Sequence, residues 1–121
     1  VDGSGLSRRN VIAPETLLAL LVKFSDPSNV RWMQTMAIAG GDGTLEHRMK
    51  GTPAERNAIG KSGSMSNVRT LAGYVTTADR ERLAFVIMAN NFEGPASQVT
   101  ATIDRIVARL ASFSRTGPAT R

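Results

Sequence analysis

The sequence predicts an α+β fold, an antiparallel meander sheet with helices packed on it. Three observations carry that expectation. Apolar residues repeat at helical spacing near both ends of the chain. Glycine-rich and β-branched runs fill the stretch from Ala58 to Asn90. The turns between those runs are short, which joins neighbouring strands antiparallel.

The first helix is expected over Pro14 to Phe24. Proline suits a first-turn position because its missing N–H has no partner there, Glu15 complements the positive helix end, and Asp26-Pro27 stops the run. Leu17, Leu20, Leu21 and Phe24 fall on one face, which is expected to be buried. A second, shorter helix is predicted from Ser28 to Ala37, with Trp32, Met33 and Met36 as its apolar members and Gly40-Gly41 closing it. Asp42 to Asn57, with Gly43, Gly51 and Pro53, reads as loop.

Ala58 to Ser64 is too rich in glycine for a helix, and Thr70 to Thr77 favours a strand. Arg82 to Ala89 is apolar on both faces, as a covered central strand would be. These three strands make the meander. Val99, Ile103, Ile106, Val107 and Leu110 then form a helical stripe within Ala96 to Phe113, so the last helix is placed on the sheet. One domain is therefore expected over residues 1–113, followed by a flexible tail over 114–121 that contains Gly117-Pro118 and no core residue.

Bulk properties narrow the function. A chain of 121 residues holds one domain, and no apolar run approaches the roughly 20 residues that cross a bilayer, so no transmembrane segment is predicted. The absence of cysteine removes disulfides, thiolate metal sites and cysteine nucleophiles together. The net charge is +5, but the arginines are dispersed rather than striped, and a single Trp and a single Tyr give no stacking platform. Nucleic acid is not an expected partner. The long-range field still favours an anionic polymer such as a bacterial wall.

Several motifs can be weighed on their residues. Gly60-Lys61-Ser62 ends like a phosphate-cradling loop, but position 55, where that loop needs glycine, is Glu. His47 is the only histidine, so it forms no histidine metal cluster and reads as a solvated loop residue. Asp42 and Glu46 are close enough in sequence to pair, although a loop cap is the plainer role for such a carboxylate. No metal or cofactor is called for. Gly40-Gly41-Asp42-Gly43-Thr44 resembles the nucleotide-binding signature of the diacylglycerol and NAD kinases, an alternative that requires a buried strand of an open parallel sheet before it. Taken alone, Lys61 is a strand-edge lysine of the kind that discourages edge pairing.

In order along the chain stand Asp2-Gly3-Ser4-Gly5-Leu6-Ser7-Arg8, Asn10, Ile38-Ala39-Gly40, Asp42-Gly43-Thr44-Leu45 and Arg48. Gly60-Lys61-Ser62-Gly63-Ser64, Leu71-Ala72-Gly73-Tyr74-Val75 and a strand ending in Asn90 follow. This order and spacing resembles the C-terminal part of the serine D-Ala-D-Ala carboxypeptidase/endopeptidase penicillin-binding proteins, over residues 1 to about 91. The resemblance implies a partial transpeptidase-like catalytic domain of the cell envelope, periplasmic or otherwise outside the cytoplasm.

It further implies that Lys61-Ser62-Gly63 stands for the family's Lys-Thr-Gly, with Lys61 catalytic and Ser62, Gly63 and Ser64 binding substrate. The lysine supplies charge, the Ser62 hydroxyl binds a terminal carboxylate, Gly63 admits a peptide close to the strand, and the Ser64 N–H is an oxyanion donor. The expected ligands are peptidoglycan peptides or β-lactams. The family's Ser-x-x-Lys and Ser-x-Asn have no counterpart here, since no serine is followed three positions later by lysine. The chain alone is therefore expected to be inactive, with a missing N-terminal part of the same enzyme as its partner. The strand at 82–90 would otherwise pair with a copy of itself. A non-catalytic module that binds a peptide carboxylate is the other alternative.

Overall fold

The computed structural model describes residues 3–117. Helix α1 (Pro14–Lys23) opens on its proline, with Glu15 in the first turn and Lys23 in the last, so both charges oppose the helix dipole. Leu21 is buried and Leu17 half-buried, but Leu20, expected on the same face, is 40% exposed. The contact stripe of α1 is thus narrower than the spacing of its leucines.

The second helix is shorter than predicted. A 3₁₀ turn at Pro27–Asn29, begun by Asp26 accepting from the Ser28 N–H at 2.8 Å, leads into α2 (Val30–Gln34). The Thr35 hydroxyl donates to the Trp32 carbonyl at 2.6 Å, just past the last turn. Ala37, assigned to helix from the sequence, instead belongs to a two-residue strand, β1 (Ala37–Ile38), paired antiparallel with Gly60 and Ile59. The Asp42 carboxylate accepts from the Ile38 N–H at 2.7 Å and keeps this segment extended. The meander thereby gains a fourth strand.

Strands β2 (Ile59–Met65), β3 (Val68–Thr76) and β4 (Arg82–Asn90) complete an antiparallel sheet in the order β1-β2-β3-β4. Along β3, Leu71 and Val75 join one apolar cluster and Ala72 and Tyr74 the other, so the strand is buried on both faces. Helix α3 (Ala96–Ala111) covers the first face through Ile103, Val107 and Ala111, while α1 and α2 cover the second. Ile106, expected in the α3 stripe, is 43% exposed, and Ala111 takes the buried place at the helix end. The Tyr74 hydroxyl donates to the Leu21 carbonyl and accepts from Trp32 Nε1, which fastens both N-terminal helices to the sheet.

Gly73 faces Gly60 across β2 and β3, and a Cβ on Gly73 would collide with the Ile59 carbonyl oxygen, so the strands meet there because both residues are glycine. The stretch read as plain loop supplies core: Leu45, Met49, Ala54 and Ala58 are all buried in the α3-side cluster. Asn57 extends the sheet with its side chain, donating to the Thr76 carbonyl at 2.8 Å and accepting from the Thr76 N–H at 2.9 Å.

Strand β4, expected to be central, is outermost among the described residues; its apolar faces are covered by helices, not by a further strand. After α3, Ser114 donates to Asp79, and the Arg115 guanidinium holds Glu81 at 2.7 Å. Residues 118–121 of the expected tail lie outside the described residues.

Candidate functional site

The site follows from a mismatch in strand length. Strand β1 pairs with only Ile59 and Gly60, so from Lys61 to Met65 the strand β2 has β3 on one side and no strand on the other among the described residues. The predicted residues Lys61, Ser62, Gly63 and Ser64 all lie on this open stretch. Lys61 is exposed and its Nζ donates to the Ser62 carbonyl at 2.9 Å.

The Ser62 hydroxyl donates to Thr44 Oγ1 at 2.7 Å, across from the 3₁₀ turn Gly43–Leu45. That turn is placed by β1, because Gly40 N–H donates to the Leu45 carbonyl and Gly41 N–H to the Ile38 carbonyl, each at 2.9 Å. Gly63 has a local reason to be glycine: a Cβ there would run into the hydroxyl of its cross-strand partner Thr70. Ser64 is exposed and stands opposite Arg69.

Alternation along the strand sends Ser62 and Ser64 to the α3 side of the sheet, as their partners Leu71 and Arg69 are. There they border a polar cleft of about 270 Å³, together with Thr44, Arg48, Arg69 and Thr100. Arg48 is occupied: Nε lies 3.1 Å and Nη2 2.7 Å from Asp104 Oδ1, and both side chains are 18% exposed. The pair fastens the loop that carries Thr44 to α3, a bidentate geometry that fixes direction as well as charge. Arg69 Nη1 donates to the Met65 carbonyl at 2.6 Å and the Val68 carbonyl at 2.7 Å.

The remaining sequence candidates fall away from the cleft. His47 is 81% exposed and lies 3.6 Å from the exposed Glu46, a surface contact. Asp42 spends its carboxylate on the Ile38 N–H, the loop-cap role, and makes no carboxylate pair with Glu46. Among the described residues no group of His, Cys, Asp or Glu is arranged to hold a metal. The Gly40 to Thr44 loop does follow a strand, but the sheet is antiparallel throughout, so the crevice that the kinase-like reading requires is not formed.

Sequence reasoning missed Asp104, Arg69 and Thr100, and it placed Arg48 in the recognised order of motifs without giving it a role. Arg48 and Asp104 are 56 residues apart, and nothing local marks them as partners. Thr44 lay inside a recognised block, but its hydroxyl carried no signal of its own. Arg69 was counted only among dispersed charges; the hairpin register with Ser64 is the signal that would have found it.

Comparison with solved structures places this arrangement. The crystal structure of penicillin binding protein 4 (dacB) from Haemophilus influenzae superposes with a TM-score of 0.82 at 33% identity, covering 93% of this chain and 27% of that one. The fold is that of a penicillin-binding protein. Over residues 1–112 the sequence matches the D-Ala-D-Ala carboxypeptidase 3 (S13) family, and the chain belongs to that family. It is 42% identical over 94 residues to the D-alanyl-D-alanine carboxypeptidase DacB of Haemophilus influenzae, covering 75% of this chain and 20% of the relative. It is 41% identical over 119 residues to a D-alanyl-D-alanine carboxypeptidase of Actinomadura sp. (strain R39), covering 93% of this chain and 22% of the relative. The chain thus spans about a fifth of the length of these curated relatives.

Proposed function

We propose that Lys61, Ser62, Gly63 and Ser64 form the substrate-binding strand of a serine D-Ala-D-Ala carboxypeptidase that acts on peptidoglycan peptides in the cell envelope. The observation that carries the reading is the open stretch of β2 from Lys61 to Met65, bordered by hydroxyls and guanidinium groups. An extended peptide can lie along such an edge, with main-chain hydrogen bonds giving affinity and side chains giving selectivity.

In the reaction a serine hydroxyl attacks the carbonyl of the D-Ala-D-Ala bond, an acyl-enzyme forms, D-Ala leaves, and water releases the acyl group. The Lys61 ammonium places positive charge where the serine loses its proton, and the Ser62 hydroxyl holds the terminal carboxylate. The Ser64 N–H donates to the developing oxyanion, a contribution of about 3 kcal/mol for such a donor. The serine itself must come from polypeptide beyond these 121 residues, since none here is followed three positions later by lysine. The chain is therefore inactive alone. Its outer strand β4 pairs with the polypeptide that brings the serine, or with another copy. A β-lactam enters the same groove; penicillin binding protein 4 of Haemophilus influenzae is itself known in complex with a novel β-lactam.

The test is acylation by a labelled penicillin of an enzyme that joins this chain to the N-terminal polypeptide. Labelling is expected, with Lys61→Ala lowering its rate by about a hundredfold or more, the range of one positioned electrostatic group. A correctly folded enzyme that takes up no label overturns the reading. If label is absent while the chain binds D-Ala-D-Ala saturably and Lys61→Ala abolishes it, the strand serves a binding module instead.

A further inference from the structure

Ser62 and the turn that faces it are held in different ways. Serine has a single heavy atom on Cβ, so three staggered positions are open to its hydroxyl, whereas a β-branched threonine restricts its own χ1. Ser62 stands half-buried on the stretch of β2 that no strand covers among the described residues, and its hydroxyl is tied by the 2.7 Å bond to Thr44 Oγ1. Thr44 is exposed at the side chain, but its backbone is anchored. Leu45, the next residue, is 1% exposed; its N–H donates to the Asp42 carbonyl at 3.2 Å, and its carbonyl accepts from the Gly40 N–H at 2.9 Å and the Arg48 N–H at 3.0 Å.

The proton count adds a constraint. A hydroxyl has one proton to donate and two lone pairs that accept. The Ser62 proton is directed at Thr44, so Ser62 donates to a bound substrate only by turning that proton away. Thr44 carries a proton of its own that can then point back at Ser62 Oγ. Both protons turn, and neither oxygen has to move. We infer that Thr44 is a positioning residue that holds the Ser62 oxygen in one rotamer and exchanges the donor role with it when substrate binds. The proposal rests on the carboxypeptidase reading for what Ser62 does, but the fixing of the Ser62 rotamer stands apart from that reading.

Two measurements test it. In nuclear magnetic resonance of the chain, the Hα–Hβ couplings of Ser62 are expected to report one rotamer in wild type and in Thr44→Ser, and an average over rotamers in Thr44→Val. Amide shifts along β4 report that each variant is folded. In the enzyme that joins this chain to the N-terminal polypeptide, Thr44→Val should raise KM for a D-Ala-D-Ala peptide about three- to tenfold, the range of one hydrogen bond, with kcat held. Thr44→Ser should restore the wild-type value. Combined with Ser62→Thr, whose β-branched side chain restricts its own rotamer, the same Thr44→Val change should cost less than about twofold. Ser62 couplings that are the same in wild type and Thr44→Val overturn the proposal, as does a Thr44→Val penalty of equal size with and without Ser62→Thr. A Ser62 rotamer that depends on Thr44, in a folded enzyme that cleaves no D-Ala-D-Ala peptide, supports the positioning role and sinks the carboxypeptidase reading instead.

Discussion

The two outer edges of the sheet are opposites. From Lys61 to Ser64, β2 offers a lysine, two serines and a glycine, and its flank is a cleft lined by hydroxyls and guanidinium groups. Between Arg82 and Asn90 the side chains of β4 are Leu, Ala, Phe, Val, Ile and Met, and the flank is a groove of about 340 Å³ between α1 and α3, lined by Pro14, Leu18, Ile87, Ile106 and Leu110. A polar edge keeps its backbone hydrated and can exchange water for a peptide reversibly. An apolar edge exposes surface at about 25 cal/mol per Å² and is suited to lasting cover. The same sheet thus has one polar edge and one apolar edge.

The largest effect should come from removing the anchor of the polar side. Asp104→Ala leaves Arg48 half-buried without its carboxylate, and a loss of about 2–3 kcal/mol is expected in chemical denaturation, below the full-burial figure because both side chains keep some exposure. Hydrogen exchange should quicken around Thr44 and Ser62 and hold steady along β4. Faster exchange on both edges alike would erase the contrast.

A smaller effect is expected on the apolar side. Ile106 lines the groove and is already 43% exposed, so Ile106→Lys disturbs little of the fold while placing charge where a covering strand would sit. Self-association of the chain, measured by sedimentation, should weaken about tenfold, equivalent to about 1.4 kcal/mol. Wild type that stays monomeric at high concentration argues against association through β4.

The smallest effect concerns the turn that joins β3 to β4. The Ser114 hydroxyl and the Arg115 N–H hold the Asp79 carboxyl below its ordinary value, and Glu81 raises the Arg115 guanidinium. A depressed carboxyl stabilises the fold above its unfolded value of about 3.9 and ceases to do so as pH falls through the lower folded value. Residues 114–116 should therefore detach only in strong acid, with the Arg115 amide resonance reporting the step. Release near neutral pH would assign their docking to something other than Asp79.

Much of this architecture was legible in the sequence because long periodic segments carry their own signal. The stripe from Val99 to Leu110 gave α3, and the glycine-rich and β-branched runs gave β2, β3 and β4. Strand β1 was not legible, as two residues are too few for a period of two to show, and its pairing is decided by Gly60 and Ile59 more than twenty positions away. The candidate strand at Lys61 was found through its neighbours in order along the chain. The walls of its cleft were not, since Arg48 meets Asp104 only after α3 has folded back over the sheet. Exposure on helices was misjudged at Leu20 and Ile106 for a related reason: spacing locates a face, but the breadth of that face depends on what is packed against it.

The buried quartet Leu45, Met49, Ala54 and Ala58 ties the irregular segment between β1 and β2 into the core beneath α3. Such a segment is framework in spite of its shape. Insertions beside those four side chains would be tolerated as poorly as in a helix.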